Sequence, residues 1–126
     1  MGQADQATVI SDLLCLMDIP DIEAVLLFGS YARGDASPRS DLDICIVAPR
    51  VKTSEGMARL LGSVWQQVDA NEYDVWLFEE LPLYMQIDII ENHRILHCRD
   101  VPSLYEYFYS FRKRWAHEQY RQTLAT

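Results

Sequence analysis

At 126 residues and 49% hydrophobic composition, the chain is sized for one compact domain with its own core. Its net charge of −8 is uneven: residues 1–93 carry 5 Lys/Arg against 16 Asp/Glu, and residues 94–126 carry 6 against 3. The acidic body argues against direct nucleic-acid binding, which needs clustered cations, while the basic end keeps a contact with protein or RNA open.

No run of about 18 apolar residues exists, so no transmembrane helix and no membrane partner are expected. The N-terminal stretch MGQADQATVISDLL is acidic and lacks the basic start and cleavage site of a signal peptide. The myristoylation pattern fails at its Ser/Thr position. Cys15, Cys45 and Cys98 are far apart and show no metal-ligand spacing, which supports neither a disulfide framework nor a zinc site. A cytoplasmic location is the expectation.

The elements follow in chain order. Ile10, Leu13, Leu14 and Met17 recur at helical spacing and predict a helix over residues 3–17. Pro20-Asp21 breaks it and leads into a strand over 23–28, apolar on both faces as a central strand is. Gly29-Ser30 makes a tight turn, and Tyr31 to Arg33 open a short helix before a polar loop over 34–38. Asp41 and Asp43 then head a strand running through 44–48, which Pro49 ends.

Thr53 or Ser54 caps a helix reaching about residue 70, with Met57, Leu60, Leu61, Val64 and Val68 on one face. Gly56 and Gly62 weaken that helix by about 1 kcal/mol each, so packing must hold it. A third strand covers 72–78 and a helix covers 82–92, with Leu83, Ile87 and Ile90 inward. Residues 94–98 suit an edge strand. The last helix starts at Val101-Pro102-Ser103, with Leu104, Phe108, Phe111 and Trp115 in one stripe. Arg112-Lys113-Arg114 sits among tyrosines there, as a solvated face or as a docking surface. His93, His97 and His117 show no ligand spacing and read as surface or packing histidines.

The chemistry concentrates in residues 26–47, LLFGSYARGDASPRSDLDICIV. Strand side chains alternate faces, so Asp41 and Asp43 point one way while Leu42 points into the core. Two carboxylates about 7 Å apart at the Cα level suit divalent ions held between them. Mg²⁺ takes one or two carboxylates plus substrate phosphates, and a pair of such ions clamps an in-line displacement. Gly29 lets a backbone approach phosphate, and Ser30 offers its N–H and its hydroxyl. Alone, the acid pair reads as a solvated strand edge and Gly-Ser as a turn; joined across two strands they point to a metal-bound nucleoside triphosphate.

Arg33 either binds the triphosphate or pairs with Asp35. Ser40 either bonds a phosphate or holds Asp41 in place. Asp74 is an acid inside an apolar strand, where an unpaired charge is costly. It is either a metal ligand and proton acceptor or a strand-edge carboxylate facing solvent. Asp69, Glu72, Glu79 and Glu80 flank that strand and are poorer candidates.

Gly29-Ser30, ten residues, then Asp41-Leu42-Asp43 resembles the signature of the polymerase β-type nucleotidyltransferase superfamily. The string GSYARGDASPRSDLDICIV is similar to its smallest members, the minimal nucleotidyltransferases or MNT proteins, over residues up to about 98. Histidine at 93, where such proteins often carry glycine, is a departure that bears on the turn rather than the chemistry.

The resemblance implies an α/β (α+β) fold, a small mixed sheet flanked by helices, in one domain over 1–126 with a core of about 1–98 and a C-terminal helix over 101–124. It implies transfer of AMP from ATP to a hydroxyl. Asp41, Asp43 and Asp74 would hold two Mg²⁺ ions, with Asp74 as general base. Gly29, Ser30, Arg33 and Ser40 would hold the nucleotide. It further implies a HEPN-domain toxin as partner, in a hetero-oligomer, with a tyrosine of that ribonuclease as acceptor. Two alternatives stay open: an antitoxin that masks its partner by contact alone, and a transferase for a small-molecule hydroxyl.

Overall fold

The computed structural model describes residues 6–29 and 42–125. Gln6–Leu13 forms helix α1, and the chain then tightens into a 3₁₀ turn over Leu14–Asp18. The tighter turn has three residues per repeat, which brings Leu16 beneath Leu13. Both are fully buried, whereas Leu14 is 58% exposed. The expected stripe assumed an uninterrupted helical period, and Leu14 leaves it for this reason.

Four strands follow: β1 (Ala24–Phe28), β2 (Leu42–Val47), β3 (Tyr73–Leu77) and β4 (Arg94–Cys98). Their order in the sheet is β3-β2-β1-β4. Strand β1 is antiparallel to both neighbours, and β2 and β3 are parallel. The sheet is therefore mixed, β1 is internal with every residue buried, and β4 lies at an edge as its sequence predicts.

A parallel pair needs a crossover, and helix α2 (Ser54–Trp65) supplies it. Thr53 caps its start, accepting at Oγ1 from the Gly56 N–H at 3.0 Å. The helix stops at Trp65, short of the expected end near residue 70. Asp69 takes over there: its carboxylate accepts from the Asn71 N–H at 2.9 Å, and its carbonyl accepts from the N–H of Glu72 and Tyr73 at 3.0 Å. Such side-chain turns compete with the helical ladder. Val68 stays buried although it is no longer helical.

Each face of the sheet is covered. Val25, Leu27, Ile44 and Ile46 pack on one side with Val9 of α1 and Leu60 of α2. Leu26, Cys45 and Val47 pack on the other against α3 (Leu83–Glu91) and α4 (Val101–Ala125). Phe78 centres that second layer, with ring centroids 5.4 Å from Phe108 and 5.0 Å from Phe111. Gln86, buried among apolar groups, donates to the Phe78 carbonyl at 3.0 Å.

Polar ties close the ends. Arg99 donates to three carbonyls, those of Ile22, Met17 and Ile19, at 2.6, 2.5 and 2.9 Å. His97 joins the edge strand to α1 through the Ile10 carbonyl at 2.7 Å. His93 sets its Nδ1 on the last carbonyls of α3, 2.9 Å from Ile89 and 3.0 Å from Ile90. A side chain thus finishes the turn at which glycine was expected. Asp100 caps α4, accepting from the Ser103 N–H at 3.1 Å. Beyond Phe111 every described residue of α4 is exposed except Trp115 and Glu118, so the helix outruns the layer it packs on.

Candidate functional site

Parallel β2 and β3 begin at the same end of the sheet, and their register places Leu42 beside Tyr73 and Asp43 beside Asp74. Leu42 and Tyr73 are buried in the layer of α1 and α2. By strand alternation Asp43 and Asp74 occupy the opposite face, side by side and each partly buried. Neighbouring strands lie about 4.8 Å apart, so the two carboxylates share one small region. On the other side of β2, Phe28 pairs with Asp43, which brings Gly29 to the same spot.

Gly29 has φ 75°, a left-handed conformation that glycine adopts without penalty. A Cβ built there would collide with Oδ2 of Asp43. The glycine therefore gives both the bend after β1 and the space in which the Asp43 carboxylate sits. The other carboxylate oxygen, Oδ1, accepts from the indole N–H of Trp76 at 3.4 Å.

Two hard oxygen donors side by side suit a divalent cation, whose charge would also relieve the repulsion between the carboxylates. The cradle left by the missing Cβ and the convergent donors fit that group. Ser30, Arg33, Ser40 and Asp41, the other residues expected at the site, lie outside the described residues. Among the described residues, no group of three or more His, Cys, Asp and Glu is arranged to hold a metal.

Glu79, read from its flanking position as a poor candidate, lies at the opposite end of β3 and is tied into the fold. Its Oε1 accepts from the Ala48 N–H at 3.0 Å, and its Oε2 accepts from the Tyr107 hydroxyl at 2.7 Å. Burial pushes the Glu79 carboxyl above its ordinary range, against the pull of those two bonds. Burial, and then the Glu79 charge, push the Tyr107 hydroxyl up as well. Nothing local marks this pair in the sequence, because α4 brings the tyrosine from 28 positions away. Trp76 was equally invisible as a site residue. Its only signal is period-2 spacing from Asp74, which puts both on one face.

A cavity of about 370 Å³ lies at the far end of β2, bordered by Arg50, Lys52, Thr53 and Arg59. Arg50 is bonded to Glu23 and to the Pro20 carbonyl, and Arg59 to Glu55. The carboxylate pair is not part of this cavity.

Residues 12–97 match the family of nucleotidyltransferase domains. The chain is 43% identical over 91 residues to a relative from Methanocaldococcus jannaschii named "Putative protein adenylyltransferase", a match over 72% of this chain and 67% of the relative. Its fold is similar to that of a chain in the crystal structure of a toxin–antitoxin with AMP-PNP, with TM-score 0.67 and 18% identity over 97% of this chain and 95% of that one. It is also similar, with TM-score 0.66 and 17% identity, to a chain in the structure of a tri-AMPylated Shewanella oneidensis HEPN toxin with its MNT antitoxin, over 96% and 95% of the two chains.

Proposed function

The chain belongs to the nucleotidyltransferase domain family, and from that premise we propose that it moves AMP from ATP to a tyrosine hydroxyl of a HEPN-domain ribonuclease partner. The observation that carries this reading is the register pair Asp43 and Asp74, set against a glycine whose missing side chain leaves room for a carboxylate oxygen.

In this reading Asp41, Asp43 and Asp74 hold Mg²⁺, and Gly29, Ser30, Arg33 and Ser40 hold the triphosphate. Bound Mg²⁺ would neutralise phosphate charge and steady the attacking and leaving oxygens. Asp74 accepts the proton of the incoming hydroxyl, whose oxygen bonds to the α-phosphorus as pyrophosphate departs. The protein contributes position and charge, with no covalent intermediate on its own side chains.

A protein acceptor and a HEPN partner are supported by two of the comparisons; the tyrosine comes from the resemblance of the motif alone. The M. jannaschii relative bears the name of a protein adenylyltransferase, and the S. oneidensis structure pairs an MNT antitoxin with an AMPylated HEPN toxin. The exposed tyrosines of α4, Tyr105, Tyr109 and Tyr120, with Arg112 and Arg114 between them, add a surface of the composition that interfaces favour. The same surface favours a second reading, neutralisation of the partner by contact without chemistry. The reading places both proteins in the cytoplasm, with residues 1–126 acting as one domain.

The test is label transfer from α-labelled ATP with Mg²⁺ to a HEPN-domain protein co-purified with this chain. Asp41→Asn combined with Asp43→Asn abolishes transfer while the circular dichroism spectrum stays unchanged. Undiminished transfer by that double variant overturns the site. Neutralisation of the partner by the double variant, with no label transferred by either form, selects the contact reading.

A further inference from the structure

We propose that Trp76 is a positioning residue for Asp43, its indole N–H and the bare Cα of Gly29 together fixing how the carboxylate faces its ligand. The inference rests on the reading above, in which Asp43 holds the metal. Three observations converge on it. The indole N–H bonds Oδ1 of Asp43 at 3.4 Å. Oδ2 occupies the space where a Cβ of residue 29 would be. Trp76 sits two residues after Asp74 on the same face of β3, and it is 36% exposed, unlike the buried Val75 and Leu77 beside it.

The physical argument concerns carboxylate freedom. The terminal torsion of an aspartate is broad, so a ligating carboxylate turns unless something holds it. Groups that bond to ligands from outside the metal shell fix that rotation, and their loss typically lowers metal affinity or activity by about 10–100-fold. An indole is well suited to this task. It donates and cannot accept, so it favours the ionised carboxylate that a cation needs. Its N–H does not titrate, so the restraint persists at every working pH. At 3.4 Å the bond is longer than most N–H···O bonds.

Two measurements test the role. In the first, Mg²⁺ alone is titrated into the wild-type protein without nucleotide, and the three indole N–H signals of Trp65, Trp76 and Trp115 are followed by NMR. Trp76, assigned from the Trp76→Phe spectrum, shifts with Mg²⁺ while Trp65 and Trp115 stay in place. In the second, the Mg²⁺ concentration giving half-maximal label transfer rises about tenfold in Trp76→Phe, at the lower end of the range for such partners because the bond is long. The melting temperature of the variant reports whether the fold is kept.

An unmoved Trp76 signal, or an unchanged Mg²⁺ dependence in a folded Trp76→Phe, overturns the proposal. Should Trp76→Phe fail to fold, Trp65→Phe and Trp115→Phe assign the Trp76 signal by elimination, and the wild-type titration decides. Asp43→Asn separates the two levels. If it abolishes transfer while Trp76→Phe behaves as wild type, only the positioning role falls. If Asp43→Asn transfers normally, the site reading falls first and this inference with it.

Discussion

A single hydrogen-for-methyl choice at residue 29 governs the site. In Gly29→Ala a left-handed backbone would cost about 1–2 kcal/mol, before the collision with Asp43 is counted. Chemical denaturation should show a loss of at least that size, together with loss of label transfer. Glu79 makes a prediction of a different kind. Its carboxyl is raised in the folded state, chiefly by burial. A raised acid binds its proton more tightly in the native protein than in the unfolded chain. Its contribution to stability is therefore complete below the unfolded pKa and is lost as pH rises through the folded one. Glu79→Gln keeps an acceptor for the Ala48 N–H and cannot ionise. The melting temperature of that variant should fall less than that of wild type between pH 5 and pH 8; an equal fall would show that Glu79 does not titrate this way. Asp43 and Asp74 were legible in the sequence because a charge in an apolar strand and a period of two need no tertiary information. Trp76 and Glu79 were not, because their partners come from a neighbouring strand and a distant helix.

At the scale of elements, helix α2 shows where propensity and packing part company. Gly56 is closely hemmed in, with Thr53 Oγ1 3.0 Å and Val51 Cγ1 3.1 Å from where a Cβ would stand. Gly62 has nothing within 4 Å of that point. Gly62→Ala should therefore stabilise the protein by about 0.5–1 kcal/mol, since it restores helix propensity without a clash. Urea unfolding measures this, and a destabilised variant would contradict it. Conversely, Phe108→Ala, which empties the ring cluster around Phe78, should cost about 3–5 kcal/mol. Strand order of burial, the edge position of β4 and the last helix could be read from apolar patterning alone. Two boundaries could not. The 3₁₀ turn after Leu13 and the Asp69 turn both arise where a local geometry replaces the regular helical ladder, and a search for period 3.6 runs through such places unaware.

For the whole molecule, the acidic body and the basic C-terminal segment differ in charge and in placement. The sheet with its two helical layers positions carboxylates at one end, while α4 carries cations and tyrosines away from the core. Because residues past Trp115 are almost all exposed, deleting 117–126 should leave the melting temperature within about 2 °C of the full chain, the scale of a sub-kcal/mol change. Binding to the partner should weaken in the same variant if α4 is the docking surface. The proposed AMP transfer is the claim on which the rest turns, and intact mass spectrometry of the proposed HEPN-domain partner reaches it most directly. Incubated with ATP, Mg²⁺ and this chain, the partner should gain one or more AMP units on tyrosine, and none when Asp74→Asn replaces the wild type. A partner whose mass stays constant with the wild type, or rises equally with Asp74→Asn, would contradict the account.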